Sequence, residues 1–140
     1  MVRRRFTVIM GILLPIALTT PSPALLGQHT VSAHRKGPHG LVGWTLDYPF
    51  PDRPEEHYPR VLVVSRNGQV IRRTKGERYI WKWIFWNEGR QIAYEDGPPH
   101  FMMRCILLDV ATGKRLADVD CFTQVPVDSP AWLMALEKSR

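Results

Sequence analysis

The stretch from Ile80 to Leu116 limits what this chain can fold into more than any other part of the sequence. It contains two apolar runs rich in strand-forming residues, and a glycine-containing turn follows each run, at 87–89 and at 111–114. Further strand-forming residues come after both turns. This order of runs and turns is typical of β-hairpins. The stretch therefore predicts antiparallel strands, and it does not by itself identify an activity.

Strand-forming composition recurs along most of the chain, with turn residues between the segments. Asn67 and Gly68, for example, supply the positive φ angles that a tight hairpin turn needs. Prolines and charged residues predict a long loop over 48–59, and glycine and proline predict another loop over 95–100. The predicted strands are Leu41–Asp47, Arg60–Ser65, Gln69–Thr74, Arg78–Trp86, Arg90–Glu95, Met102–Asp109 and Lys114–Asp120.

The C-terminal segment has a helical pattern. Ser129 is predicted to cap the free N–H groups of the helix, Pro130 fits its first position, and the predicted helix covers 130–137. Three apolar residues fall on one face of this helix, which predicts that it packs on the sheet. They are Trp132, Leu133 and Leu136. The predicted fold is all-β, mainly antiparallel with hairpins like those of propeller blades, with a short C-terminal helix, in one domain over 41–140.

The two halves of the strand region are similar to each other. Residues 42–44 correspond to 92–94, and residues 60–64 correspond to 104–108, at offsets of 50 and 44 residues. Each copy then turns at a glycine and returns through an apolar residue. Repeats of about this length, with four strands each, are typical of propeller blades.

Two motifs carry a resemblance to a known family. They are Trp83-x-Phe85-x-x-x-Gly89-Arg90-Gln91-Ile92-Ala93-Tyr94 and Leu107-Leu108-Asp109-Val110-Ala111-Thr112-Gly113-Lys114-x-Leu116. Over about half of its length the chain resembles the blades of WD40-like and TolB-type β-propeller repeats, as found in small exported bacterial proteins. The resemblance implies a blade-like fold but no particular ligand, because its motifs are turn and packing residues. Since propellers typically have at least four blades, two units predict either one curled sheet or an oligomer that covers its edges.

Residues 1–24 have the layout of a secretory signal peptide. Three arginines at 3–5 precede an apolar run over 6–18, and Ala24 closes a cleavage site of small residues. The apolar run is shorter than the roughly 20 residues that a spanning helix needs. Cleavage after Ala33 and an uncleaved membrane anchor are the alternatives. We therefore predict export to the periplasm or the extracellular space, with a mobile leader over 25–40.

Cleavage at either site changes the charge of the chain. Loss of three arginines lowers the net charge from +6 to +3, with 16 Lys/Arg against 13 Asp/Glu. The basic residues form no single run, so no nucleic-acid partner is expected, and the membrane is contacted only by the signal segment during export. His29, His34 and His39 recur every five residues, a spacing that puts them on no common face. Neither a metal site nor a cofactor is predicted.

The aromatic run at 80–86 contains the first candidate binding residues. Strand alternation places its residues on two faces, and one of the faces must be core. One face carries Trp81, Trp83 and Phe85. The other face carries Ile80, Lys82, Ile84 and Trp86. If one of these tryptophans is exposed, Trp86, beside the turn, is the first candidate and Trp81 is the second. An exposed tryptophan stacks on a sugar ring or anchors a protein partner, unless the helix or the facing strands cover both residues.

Cys105 and Cys121 lie on the two arms of the hairpin around Gly113. Their even separation allows both to point to one face. They are directly opposite only if the pairing centre falls on Gly113. A register shifted by one place makes them diagonal neighbours, which we expect to be too far apart for a relaxed bridge. An exported chain allows a disulfide, and two buried thiols are the alternative.

Glu95, Asp96 and His100 flank the loop predicted over 95–100. These groups do acid/base chemistry only if the fold sets their spacing, and ordinary loop residues are the alternative. The leading functional hypothesis is a non-enzymatic binding module for an envelope protein, or for a second copy through the sheet edges. A glycan-binding module that uses tryptophan, and a small hydrolase that uses these residues or His57, are the alternatives.

Overall fold

Antiparallel strands make up most of the structure, a computed structural model that describes residues 29–98, 102–121 and 126–139. The predicted fold class, a mainly antiparallel β fold with a short C-terminal helix, is confirmed. In the described residues the strands are β1 (Thr30–Val31), β2 (Arg35–Lys36), β3 (Leu41–Pro49), β4 (His57–Arg66), β5 (Gln69–Lys75), β6 (Tyr79–Trp86), β7 (Gln91–Gly97), β8 (Arg104–Asp109) and β9 (Arg115–Asp120), and the helix is α1 (Ala131–Lys138). Strands β1 to β5 form the N-terminal sheet, and β6 to β9 form the C-terminal sheet.

In the N-terminal sheet, β3, β4 and β5 follow one another as antiparallel neighbours. The β4–β5 hairpin turns at Asn67 and Gly68, whose φ angles are 50° and 82°. Two successive positive φ angles match the twist of the flanking strands, which explains the Asn-Gly pair at this turn. The predicted tight turn is confirmed. On its other side β3 pairs with β1 and β2.

Two short strands and a 3₁₀ turn lie within 29–40, where the sequence predicted part of a mobile leader over 25–40. β1 and β2, of two residues each, pair antiparallel with β3, and a 3₁₀ turn at Pro38–Gly40 leads into β3. The free edge of β3 supplies their backbone partners. Strands this short show no alternating pattern in the sequence. The predicted signal peptide, 1–24, lies outside the described residues.

In the C-terminal sheet, β6 to β9 form a meander in chain order. Two predicted loops are shorter than expected. β7 continues through Gly97, and the pairing of β3 with β4 continues to Pro49 and His57. Prolines at the ends of strands remove few ladder hydrogen bonds, so the proline-rich sequence at 48–59 does not prevent this pairing.

A bulge in β6 changes which aromatic residues are buried. Ile80 pairs with Asp96 and Trp83 pairs with Tyr94, so two residues of β6 stand opposite the single residue Glu95. The extra residue shifts the alternation of side chains. Ile80 therefore lies in the same core cluster as Trp83, whereas strict alternation predicted opposite faces.

The two sheets pack face to face around an apolar core. A Cβ atom on Gly43 would lie 2.5 Å from the Trp83 ring, so the missing side chain of Gly43 makes room for this tryptophan. The buried residues of this core are Leu41, Leu62, Val64, Ile80, Trp83, Ile92, Tyr94, Ile106, Leu108 and Val110. Within the described part of the chain the two sheets do not close a ring of blades, and the resemblance to propeller repeats stays a prediction.

Helix α1 covers the opposite face of the C-terminal sheet. It begins at Ala131, and its N-cap residue is Pro130, which makes no side-chain hydrogen bond, so the predicted capping by Ser129 is wrong. The three residues predicted to face the sheet, Trp132, Leu133 and Leu136, are buried. Lys82 Nζ lies 3.0 Å from Glu95 Oε1 and 3.6 Å from Glu137 Oε2, which ties α1 to the sheet.

Cys105 and Cys121 form a disulfide whose Cα atoms are 5.7 Å apart. Cys105 stands opposite Val119, so the two cysteines are diagonal neighbours. The expectation that diagonal neighbours are too far apart for a bridge is therefore wrong. The right-handed twist of paired strands brings one of the two diagonals closer than the other, which explains the short distance.

The buried phenol of Tyr94 is expected to make the fold less stable at alkaline pH. Burial raises the pKa of Tyr94 from 10.0 to about 12; nearby Arg115 lowers it, and the carboxylates of Asp96, Asp118 and Glu77 raise it. In the unfolded chain the phenol loses its proton first, so the free energy of unfolding is expected to fall as pH rises from about 10 to 12. The fall is on the order of 1–2 kcal/mol.

The measurement is urea unfolding at about pH 9 and at about pH 11.5 for the wild type and for Tyr94→Phe. All other groups are the same in the two proteins, so the difference between the two pH dependences isolates Tyr94. The variant should lose less stability on going to the higher pH. Equal losses in the two proteins would contradict the assignment.

Candidate binding surface

Four aromatic side chains form a continuous strip at one end of the two sheets. We call Phe50, Tyr58, Tyr79 and Trp81 the aromatic strip. The ring centroids are 4.6 Å apart for Phe50 and Tyr58, 4.6 Å for Tyr58 and Tyr79, and 5.5 Å for Tyr79 and Trp81. The first three side chains are half-buried, and Trp81 is 41% exposed. The strip therefore presents aromatic surface to solvent without being part of the core.

The β3–β4 loop fixes one end of the aromatic strip. The Phe50 N–H donates to the Glu56 carbonyl at 3.0 Å, and the Arg53 guanidinium donates to the Glu56 carboxylate at 2.8 Å. These bonds close the loop over 50–56. The Arg53 guanidinium carbon also lies 4.8 Å from the centre of the Phe50 ring, a cation–π arrangement. Phe50 is consequently held in place before any partner binds.

The bulge in β6 fixes the other end of the aromatic strip. Because two residues stand opposite Glu95 there, Trp81 leaves the regular alternation that buries Trp83. The Trp81 Nε1–H donates to the Gly97 carbonyl at 2.9 Å, which holds the indole against β7. The exposed ring is therefore oriented by a hydrogen bond and by the neighbouring Tyr79 ring.

An open cleft of about 690 Å³ adjoins the aromatic strip at Gly97. Asp96 is buried in its wall, and its carboxylate accepts the backbone N–H groups of Glu77 at 2.7 Å and Arg78 at 3.1 Å. Glu77 also pairs with Arg115 at 3.2 Å. Both carboxylates of the cleft are thus engaged within the protein. Its lining residues are Glu77, Arg78, Asp96, Gly97, Pro98, Met102 and Arg104.

Among the described lining residues of the cleft, Arg78 is the available cation. Arg104, the other lining arginine, pairs with Asp118 at 2.7 Å. Within the described part of the chain, the Arg78 side chain has no hydrogen bond or ion pair. A partner that presents an aromatic or apolar group to the strip can therefore place an anionic group at Arg78.

The structure separates the residues that the sequence singled out for binding. Trp81 belongs to the aromatic strip. Trp86 is half-buried and packs against the cluster of Ala93, Leu107 and α1, so Trp81 is the more exposed of the two candidates. The helix covers this face because the alternation after the bulge turns Trp86 toward it. His100 lies outside the described residues.

Glu95 and Asp96 do not form a carboxylate pair. They are neighbours within β7, so their side chains point to opposite faces of the sheet. Glu95 pairs with Lys82 under α1, and Asp96 caps the start of β6. His57, at the start of β4, does not line the cleft. Asp96 therefore lines the cleft without Glu95 or His57 beside it.

The described ranges, 29–98, 102–121 and 126–139, contain neither a metal-binding cluster nor a membrane-spanning helix. No group of three His, Cys, Asp or Glu residues is placed to hold a metal ion. No helix in these ranges has the length and apolar character that a bilayer crossing requires.

Three members of the aromatic strip were missed in the sequence. Phe50 and Tyr58 lie in the segment predicted to be a loop. Tyr79 directly precedes the aromatic run at 80–86, which contained the predicted binding residues. A weak signal exists, because aromatic residues border the proline-rich segment on both sides. The contact itself depends on the pairing of β3 with β4 and on the packing of the two sheets.

No family model, no curated protein and no solved structure matches this chain. The geometry of the aromatic strip and of the cleft is therefore the basis for inferring a function.

Proposed function

We propose that this protein is a non-enzymatic binding module for a protein partner in the periplasm or the cell envelope. The observation that carries the proposal is the aromatic strip, whose four rings are partly exposed and held in fixed orientations. Tyrosine, tryptophan and arginine contribute most of the binding energy at protein interfaces. All three residue types are present here, with Arg53 and Arg60 beside the rings.

Preorganisation supports the proposal. Arg60 donates to the Tyr58 hydroxyl at 3.3 Å, Arg53 lies over Phe50, and the Trp81 indole donates to Gly97. Ordering flexible side chains costs free energy when a complex forms. Because these side chains are already held by contacts within the protein, less of that cost remains to oppose binding.

The inclination of the rings argues against a glycan as the ligand. A sugar stacks on a flat, free aromatic face, and a platform for several sugars needs rings that are close to coplanar. Successive rings of the strip are inclined by 46°, 85° and 63°. The ring faces therefore meet the edges of their neighbours, which is an aromatic packing that leaves an uneven surface. An uneven surface of this kind suits apolar protein side chains better than a sugar.

The compartment is part of the proposal. The charged and apolar pattern of residues 1–24 supports export, and the disulfide between Cys105 and Cys121 is compatible with it. Disulfides persist in oxidising compartments such as the periplasm and the cell surface. A partner that binds the aromatic strip must be present in the same compartment, which is why the proposal names an envelope protein.

The test is site-specific photo-crosslinking in cells that make the protein. A photoreactive phenylalanine analogue at position 81 is expected to capture one partner protein, and the same analogue at position 116 is not. Leu116 is the matched control, because it is 45% exposed and lies on β9, outside the strip. With the purified partner, Trp81→Ala and Tyr58→Ala should each weaken binding roughly 30-fold, whereas Leu116→Ala should change it less than about twofold.

Three results would contradict this proposal. Equal capture from positions 81 and 116 would mean that the strip has no special role. Capture of a second copy alone would leave a self-assembling module. Binding of soluble cell-wall oligosaccharides that Trp81→Ala abolishes would identify a glycan-binding module. Circular dichroism of each variant shows whether a loss of binding reflects a loss of fold.

A further inference from the structure

The strand β5 forms the open edge of the N-terminal sheet. It pairs with β4 on one side, and no described strand pairs with it on the other side. No backbone hydrogen bond from another described segment reaches its outer N–H and C=O groups. Val70 and Ile71 on this strand are 41% and 36% exposed. An unpaired edge with exposed apolar side chains is a template for adding another strand.

Arg72 holds this edge in place. Its Nε donates to the Val110 carbonyl at 2.8 Å, and its Nη2 donates to the Ala111 carbonyl. These bonds join the middle of β5 to the β8–β9 turn of the other sheet. The edge is therefore a fixed template, and an added strand does not have to order it first.

The side chains of β5 select the charge of the added strand. Arg73 and Lys75 are exposed and lie two residues apart, so they share the outer face of the sheet. Within the described ranges neither forms an ion pair with a carboxylate, and neither does Arg66 at the turn before β5. Like charges opposite one another destabilise strand pairing, and opposite charges stabilise it. A second copy of β5 is therefore repelled, whereas an acidic strand is attracted.

The two edge strands of the C-terminal sheet, β6 and β9, differ from β5. Arg35 donates to the Trp83 carbonyl at 3.1 Å, so the β6 edge is partly covered. On β9 the charges of Arg115 and Asp118 compensate each other at 3.2 Å. β5 therefore combines an open backbone with uncompensated charge of one sign.

We propose that β5 binds an acidic, extended segment of a protein partner by strand addition. The backbone of that segment pairs with residues 69–75, and its carboxylates lie beside Arg73 and Lys75. The inference goes beyond the aromatic strip and stands independently of it, because its test measures only β5.

The experiment uses the purified full chain and synthetic peptides as long as β5. The probe is a fluorescent peptide of alternating glutamate and valine, and its partner probe has lysine in place of each glutamate. Fluorescence anisotropy should show that the acidic peptide binds roughly tenfold more tightly or better. The double variant Arg73→Glu/Lys75→Glu should reverse this preference, and circular dichroism of the variant shows whether it is folded. Lys138→Glu, on α1, is the matched control and should bind as the wild type does.

Methylation of the peptide backbone tests the pairing itself. N-methyl groups on alternate residues block one edge of the peptide, so one of the two possible methylation patterns should abolish binding while the other leaves it within about twofold. The proposal is overturned if both methylated peptides bind like the unmodified one, since the attraction is then charge alone. It is also overturned if charge reversal leaves the preference unchanged, or if single-stranded DNA of equal charge binds more tightly than the acidic peptide.

Discussion

Replacing Trp83 with alanine is expected to lower the free energy of unfolding by about 3–5 kcal/mol, the largest effect we predict for a single substitution. The Trp83 side chain is 4% exposed and belongs to the core between the two sheets. Its ring meets Phe85 edge to face at 5.4 Å, and the Arg35 guanidinium lies 5.1 Å from the ring centre. The substitution therefore removes transfer energy and leaves a cavity where the two sheets join.

The measurement is urea unfolding followed by circular dichroism, and Trp81→Ala is the control. Trp81 lies two residues away on the same strand, but 41% of it is exposed, so its loss should cost much less. Gly43→Val tests the same contact from the other strand. Its side chain would overlap the Trp83 ring, and overpacking of this kind costs about 1–3 kcal/mol. A smaller loss for Trp83→Ala than for Trp81→Ala would show that the sheets do not pack as described.

Turns and strands of this fold could be predicted from the sequence because their causes are local. The pair Asn67-Gly68 supplies two positive φ angles by itself, and Asp109 accepts the N–H and hydroxyl of Thr112 within one turn. The burial of one face of α1 followed from helical spacing. In each case residues close in the chain determine the result, so a sequence pattern is sufficient.

Long-range register could not be predicted in the same way. The bulge opposite Glu95 moves Ile80 to the face of Trp83 and orients Trp81, and nothing in the sequence of 80–86 marks it. β1 and β2 are strands only because β3 has a free edge beside them. The aromatic strip joins 50, 58, 79 and 81, which meet only after the two sheets have packed. The candidate site was therefore visible in the sequence only at Trp81.

The second large effect is expected from the disulfide. The double variant Cys105→Ala/Cys121→Ala should lower the free energy of unfolding by about 3 kcal/mol, since the bond closes a loop with a sequence separation of 16. The bond restricts the unfolded chain more than the folded one, where the β8–β9 hairpin already holds the two residues together. For a domain of this size the loss corresponds to a fall in Tm of about 10–20 °C.

The position of the bond beside α1 leads to an expectation for the rate at which a thiol reduces it. Cys105 is 1% exposed, Cys121 is half-buried, and both pack in the cluster that α1 covers, so opening of the helix makes the bond more accessible to a thiol reductant. Reduction of the native wild type should therefore be slow, and it should accelerate several-fold in the variant Leu136→Ala, which weakens the packing of α1. Val127→Ala, at a side chain that is 94% exposed, is the control and should leave the rate unchanged. Once reduced, the wild type should match the stability of the double variant, and the double variant should not respond to reductant. If the disulfide is reduced fast and at equal rates in the native wild type, Leu136→Ala and Val127→Ala, α1 does not shield the bond.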